Sequence, residues 1–570
     1  MQVNKYFLIS LICFVGGIFA SVNSYAQIAD EKFGKNRIQY RLFNWKYYST
    51  PHFEIYYYPG GQYLAKHLTE KLEDEHEAIT DLLGYAPYAK TKVFIYNNNI
   101  DLNQSNVGLN EAKFDIAGQT NFFKNQVEIA FPGSIVEFEK NLKFLVAKNY
   151  VSDMLFGGLF SEVLASSYLI TLPDWYINGI AAYIAYGWDD EMDDFVREFL
   201  KEEKVENITK LEGRRAMLAG QSIWNYVGEK YGRINISSIL NLTRIIRNEE
   251  KSITNSLGIP FRQFLSNYEL FYSNNALQNT EELPGKDLRI GKRLKDKNKY
   301  NMSLSPNGEW LAYSINKNGR FKLILESLKT GRSSTILKGG IKRSDNNEYL
   351  EAPIFDWGDS TTLGVIDYDR GINILRLYNP YTKGWQIQSM RKYEQINGMD
   401  IYPNGKTAVI SISTKGQSDL YLISINKANS RRLTNDVFDD LFPRFIPDTK
   451  TIIFSSNRPT DTVTYSDDMT QLNKHLNLFT YTIGADEPIT RITNDFGNNI
   501  QPIALDSSKF YYLSSKAGIF NLYQYDLEEN ISKQITAYPK GIKKYSLIEN
   551  PNLFSFSMYK SGRLNLYLKE

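Results

Sequence analysis

Two textures of apolar and polar positions divide the chain. In the first, Phe53-Glu54-Ile55-Tyr56-Tyr57-Tyr58 alternates with period two and predicts a strand. Leu64, Leu68, Leu72, Ile79 and Leu83 then fall on or near one face of a helix over 62–83. Strands are predicted over 91–96 and 126–131. Apolar residues recur at helical spacing from about 136 to 167, and further helices are predicted over 174–186, behind Pro173, and over 221–230 and 236–247. This mixed pattern runs from Phe43 to about Gly285 and predicts an α+β region.

From about Asp287 the helical spacing stops, and short strands alternate with turn residues. Six similar units appear. Their anchors are Gly319-Arg-Phe-Lys-Leu-Ile-Leu, Gly371-Ile-Asn-Ile-Leu-Arg-Leu, Gly416-Gln-Ser-Asp-Leu-Tyr-Leu, Lys474-His-Leu-Asn-Leu-Phe-Thr, Gly518-Ile-Phe-Asn-Leu-Tyr-Gln and Gly562-Arg-Leu-Asn-Leu-Tyr-Leu, at intervals of 52, 45, 58, 44 and 44. Arg432-Leu-Thr-Asn-Asp436 is echoed by Arg491-Ile-Thr-Asn-Asp495 and by Gln534-Ile-Thr536. Units of this length with three or four strands bury their faces only against each other. They predict an all-β six-bladed propeller over 286–570. The last unit ends after its third strand, so a strand between Leu288 and Tyr300 is expected to supply the fourth and close the ring.

The turns opening the units carry a resemblance. Ser305-Pro306-Asn307-Gly308 matches the Ser-Pro-Asp-Gly type of the TolB-like propellers. Tyr402-Pro403-Asn404-Gly405 is one step away, and Ile446-Pro447-Asp448-Thr449 has lost the glycine. The resemblance covers about 280 residues and speaks for fold more than for function, since propellers serve as scaffolds, binders and enzyme gates.

The N-terminus changes the picture of compartment. Lys5 precedes an apolar run from Phe7 to Phe19, followed by Ser24-Tyr25-Ala26 and Gln27. This predicts a signal peptide over 1–26 and a mature chain beginning at Gln27. The run is shorter than the roughly 20 apolar residues that span a bilayer. Cys13, the only cysteine, lies within it, so a mature chain would have no disulfide, thiolate metal site or cysteine nucleophile. Lys plus Arg total 66 and Asp plus Glu total 64, a balance without the basic excess of a nucleic-acid binder. No later apolar run is long enough for a transmembrane helix.

Residues 172–183 read Leu-Pro-Asp-Trp-Tyr-Ile-Asn-Gly-Ile-Ala-Ala-Tyr. The segment resembles the Pro-x-Trp-x-x-Glu-Gly-x-Ala-x-Tyr motif of the peptidase MA-like, gluzincin-type zinc peptidases. Gly220 to Gly232 and Leu257 to Phe264 resemble later segments of that family, and the likeness spans roughly Tyr47 to Tyr272. It implies a peptidase-like α+β domain over 27–285. Such a site needs two histidines four apart on a helix, a glutamate beside the first as base, and a second glutamate as ligand. Asn178 stands at that last position. The histidines are His52, His67, His76 and His475, so the helix before the motif, read over 143–155, has none. His76-Glu77 starts like the zinc motif but meets Thr80 where a histidine belongs, and His76 is expected to be a solvated residue on a charged helix face. Asp153, Glu162 and Asp174 are expected to serve as surface charge and helix caps. Trp175, Gly179 and Tyr183, with Leu172, Ala181 and Ala182, are expected to persist as core.

The expectation is therefore a vestigial metallopeptidase frame, without catalytic residues, metal or cofactor, fused to a propeller. It would act as an interaction or scaffold protein of the bacterial envelope, periplasmic or outer-membrane associated, binding envelope or outer-membrane proteins through the propeller and the vestigial cleft. The alternatives are a hydrolase with an unrecognised site, or a propeller holding a glycan or small molecule. A partner-binding loop is expected in the unit with the 58-residue interval. Its surplus, residues 457–473, contains Arg458, Tyr465, Met469 and Leu472, types enriched at interface cores apart from the leucine.

Overall fold

The computed structural model describes residues 37–107, 113–114, 120–121, 125–156, 172–274, 290, 298–317, 319–340, 353–425, 429–460, 472–560 and 563–570. A small unit comprises Met1–Ile38 and Ser105–Phe122. Within it Arg37 donates its backbone N–H to Asn106 Oδ1 at 2.7 Å, and Lys113–Phe114 pairs antiparallel with Thr120–Asn121. Gln39–Gln104 and Phe123–Glu570 form a second unit, which holds an N-terminal α+β module and a propeller.

In the module, β1 (Lys46–Ser49), β2 (Phe53–Tyr57), β3 (Thr91–Tyr96) and β4 (Gln126–Ala130) form a sheet in chain order. β1 runs antiparallel to β2, and β2, β3 and β4 are parallel. Period two in β2 buries Phe53, Ile55 and Tyr57 on one face, where α1 (Gln62–Leu83) packs Leu64, Leu68, Leu72, Ile79 and Leu83. Gly84 ends α1 in the left-handed conformation at φ 62°, which only glycine adopts without Cβ strain. A short helix, α2 (Asn99–Gln104), precedes the long α3 (Ile135–Phe156). Then come α4 (Asp174–Tyr186), α5 (Asp190–Glu202), α6 (Gly213–Tyr231), α7 (Ile234–Ile246), α8 (Glu249–Leu257) and α9 (Phe261–Asn274). The acid-rich α5 escapes a reading for apolar runs. It is held by Asp189, whose carboxylate accepts the Met192 N–H at 2.8 Å.

The C-terminal part is a six-bladed β-propeller. Blades 1 to 5 have four antiparallel strands each, and the sixth has three described strands, Ile542–Ile548, Leu553–Lys560 and Arg563–Lys569. The expected closing strand falls mostly outside the described residues, but Ile290 donates its backbone N–H to Leu566 O at 2.9 Å. The first strand of blade 1 is Lys299–Leu304, so the ring closes beside the last blade, with Leu304 N–H donating to Ser546 Oγ at 2.9 Å.

The repeated sequence words have structural jobs. Gly308 and Gly405 take positive φ of 68° and 64° and close the turns between the first and second strands of blades 1 and 3. In blade 4, which lacks that glycine, Asp448 adopts φ 58° instead, a conformation Asp tolerates better than most residues. In the Arg-x-Thr words, Thr434, Thr493 and Thr536 each accept a backbone N–H, from Leu420, Leu478 and Leu522, at 2.9, 2.8 and 3.0 Å. Each hydroxyl thus ties the fourth strand of a blade to the start of its third.

Candidate functional site

The segment resembling a zinc-peptidase motif lies on α4, and its pattern is explained by packing. Trp175, Ala181 and Ala182 are fully buried and Tyr183 nearly so, as expected for core. α4 crosses α6 at Gly179 and Gly220. A Cβ on Gly179 would stand 2.3 Å from Gly220 Cα, and one on Gly220 would stand 1.8 Å from Trp175 O. Trp224 donates its indole N–H to Tyr176 O at 3.2 Å, and Tyr176 Oη lies 2.6 Å from Thr243 Oγ1. Asn178 is half-buried on the same helix. The buried residues of α3 are apolar apart from Asn149 and Tyr150, with no His, Cys, Asp or Glu among them.

His76 corrects the expectation of a solvated side chain. It is buried, stacks on His52 with ring centroids 3.7 Å apart, and places Nδ1 2.7 Å from Tyr150 Oη. Burial and the neighbouring His52 lower its pKa, so the neutral ring is favoured. His52 in turn sets Nδ1 2.6 Å from Glu73 Oε2. These groups pin α1 against β2 and α3. Asp153 accepts the Tyr85 hydroxyl at 2.8 Å, Asp174 is exposed in the first turn of α4, and Glu162 lies outside the described residues.

Two of the four residues named for the partner loop, Arg458 and Leu472, do not project to meet a partner. Arg458 is not presented to a partner: it is 1% exposed and donates to Asp436 Oδ2 at 2.7 Å and Asp440 Oδ2 at 2.6 Å. Its planar fork satisfies two buried carboxylates at once, which a surface arginine does not need to do. Leu472 packs against the core of the N-terminal module rather than projecting. Tyr465 and Met469 lie outside the described residues.

Among the described residues, Asp419, Asp436 and Asp440 form one group whose carboxylate oxygens lie close enough together to hold a cation. Arg458 already supplies the positive charge there, and Arg432 Nη2 reaches Asp419 Oδ2 at 2.5 Å. Burial pushes Asp419 up to about 7 against the pull of Arg432, and raises Asp440 against that of Arg458. The group is a structural ion network joining blades 3 and 4.

Next to it lie residues that the sequence reading missed. Val437 and Phe438 leave the propeller and are buried in the module's core. Asp439 Oδ2 accepts the Ile135 N–H at 2.9 Å at the first turn of α3, so a propeller residue caps a helix of the module. Burial pushes Asp439 up to about 8, opposed by that N–H and by the Ser134 hydroxyl. An apolar pair inside the polar run Asn435-Asp436-Val437-Phe438-Asp439-Asp440 was the available signal. Asp439→Ala removes the acceptor and should cost about 1 kcal/mol of module stability. Asp439→Asn keeps an acceptor and should melt close to wild type, as differential scanning calorimetry would show.

A cavity of about 310 Å³ opens between the module and blades 1 and 2, lined by Tyr40, Asn103, Gln104, Lys338, Asp369 and Arg370 among others. The propeller's inner strands are tied by Arg444, which bonds to Asp356 and lies 3.3 Å from Asp400 Oδ1. Asp356 also accepts the Ser303 hydroxyl at 2.6 Å. No helix of the described residues is long and apolar enough to cross a membrane.

No family model matches the chain. The Tol-Pal system protein TolB of Helicobacter hepaticus is 29% identical over 156 residues, covering 20% of this chain and 37% of the relative. The match thus spans little more than a third of that relative. Among solved structures, a putative TolB from Agrobacterium tumefaciens has 16% identity and a TM-score of 0.34, covering 48% of this chain and 90% of that one. TolB from Acinetobacter baumannii has 15% identity and a TM-score of 0.33, covering 55% of this chain and 71% of that one. The C-terminal part is a six-bladed propeller by its blade topology, and the chain is similar to TolB over the 156 matched residues.

Proposed function

We propose that the chain is a non-catalytic interaction protein of the bacterial cell envelope, a degenerate peptidase-like module joined to a TolB-like propeller. The observation that carries this reading is the pairing of a preserved helix crossing with lost ligands. Trp175, Gly179 and Tyr183 keep the packing of the motif, while Asn178 offers a neutral amide where the chemistry needs a carboxylate. α3 faces inward with apolar side chains, Asn149 and Tyr150, and with no His, Cys, Asp or Glu. Placement in the envelope, in the periplasm or at the outer membrane, rests on the charged, apolar and small-residue pattern at the N-terminus and on the likeness to TolB. Partners are envelope proteins that meet the propeller. Crosslinking of the full chain in isolated envelopes, read by mass spectrometry, should give crosslinks to other proteins concentrated on residues after 298; crosslinks confined to the α+β module would contradict the reading.

Asn178→Glu restores one ligand of a site that needs three and a base. The variant should hydrolyse a casein or peptide substrate no faster than the buffer blank, with or without added zinc.

A further inference from the structure

The contacts between module and propeller differ from one side to the other. Over blades 3 and 4 they are close and mainly apolar, with the buried Asp439, itself pushed up to about 8, capping α3 among them. Val437 and Phe438 enter the module's core, Leu472 packs beside it, and a Cβ on Gly416 would stand 2.3 Å from Leu64 Cγ. Gln395 adds a hydrogen bond to Pro132 O at 3.1 Å and accepts the Asn99 N–H at 3.0 Å.

Over blade 6 the contact is made of charge. Lys540 Nζ meets Glu198 Oε1 at 2.6 Å with both side chains 11% exposed, and the Gly541 N–H donates to Asp194 Oδ2 at 2.9 Å. Arg214 of α6 and Lys543 of blade 6 lie over the Tyr559 ring at 5.5 and 5.7 Å. A slot between the two surfaces is lined by Glu191, Asp194, Phe195, Glu198, Lys540 and Tyr559 among others. Apolar burial is insensitive to salt and weakly sensitive to pH, whereas such pairs respond to both.

We propose that the module is hinged on blades 3 and 4 and latched to blade 6, so that α5 and α6 can swing away from the propeller while the apolar anchor holds. The latch is set by acidity. Asp190 and Asp194 of α5 are pushed up to about 6, first by burial. Asp190 faces Asp194, Asp189 and Asp193 on its own side and Lys543 across the slot; Asp194 faces Arg197, Lys543 and Lys540. Beside them Arg214 pairs with Glu191, Arg215 pairs with Glu203, and Tyr272 of α9 lies near Asp193. Opening removes the Gly541 N–H, Lys540 and Lys543, which lower the two aspartates, but also relieves the burial that raises them, and burial is the larger effect, so the open form holds both below their closed values. The closed form therefore binds more protons between those values. Closure is favoured as pH falls through about 6 and weakened as it rises.

The mature chain expected from the sequence has no cysteine, which permits a spin-label pair at Lys201→Cys on α5 and Glu549→Cys on blade 6, both exposed. A second pair, Glu70→Cys and Lys406→Cys, spans the anchor. Pulsed electron-spin distance measurement should show one narrow latch distance at about pH 5 and a second, longer population at about pH 8, with the closed-to-open ratio changing about tenfold or more. High salt should add to the long population, and the anchor distance should stay single throughout. Glu198→Gln should enlarge the open population at both pH values. Asp194→Asn mimics the protonated group and should reduce the pH response, which keeps the test valid if Glu198→Gln misfolds. Identical latch distributions at both pH values in the wild-type background would overturn the proposal.

Discussion

Gly220→Ala should destabilise the N-terminal module by about 3 kcal/mol or more and lower its melting temperature by roughly 6 to 12 °C. The new methyl would stand 1.8 Å from Trp175 O, a backbone atom of the facing helix. Neither helix can give way cheaply. α4 is tied by Trp175 and Tyr176 in the core, and α6 by Trp224 and Tyr226. The usual gain of up to about 1 kcal/mol from replacing a helical glycine by alanine is too small to offset the clash. Gly228→Ala is the comparison. Its Cβ meets mainly the Tyr183 ring, with Oη at 2.5 Å, and the end of a side chain can move where a backbone cannot. Calorimetric melts should therefore rank wild type, Gly228→Ala and Gly220→Ala in falling order. A Gly220→Ala protein that melts with wild type would mean that the helix crossing is looser than described.

Arg458→Met should cost about 3–5 kcal/mol, because it leaves Asp436 and Asp440 buried without their counter-charge. Both carboxylates are 2% exposed or less, so water cannot take the place of the guanidinium. The loss should depend on pH. With the arginine gone, Asp440, already raised by burial, is driven further toward the neutral form, its folded pKa lying above the unfolded value. Its contribution is then favourable below the unfolded value and is lost as pH rises through the raised one. Urea melts at about pH 5 and about pH 8 should show the variant closer to wild type at the lower pH. A variant equally destabilised at both would show that the arginine acts through packing on Phe438, over which it lies at 5.2 Å, rather than through charge.

The propeller was legible because its information is local and repeated. Period two, turn words such as Ser305-Pro306-Asn307-Gly308 and the spaced Arg-x-Thr words each report on a few neighbouring residues, and Thr434, Thr493 and Thr536 turn out to make equivalent bonds. The helix over residues 62–83 was legible for the same reason. Contacts made across tens to hundreds of residues were not. Arg458 reads as a loop arginine until Asp436 and Asp440 are brought to it, and His76 reads as a surface histidine until His52 and Tyr150 close over it. Asp439 is one more polar residue in a polar run until α3 presents its first turn. The charged helix α5 was missed although Met192, Phe195, Val196 and Phe199 recur at helical spacing within its acidic run, and it supplies one side of the contact with blade 6 through Asp194 and Glu198.

The absence of a metallopeptidase centre is the central claim, and zinc titration of the purified full chain by native mass spectrometry, with peptide hydrolysis followed in the same samples, tests it most directly. The account predicts no stoichiometric zinc at equimolar metal and no hydrolysis above blank. One zinc held per chain, with hydrolysis that a chelator abolishes, would contradict it.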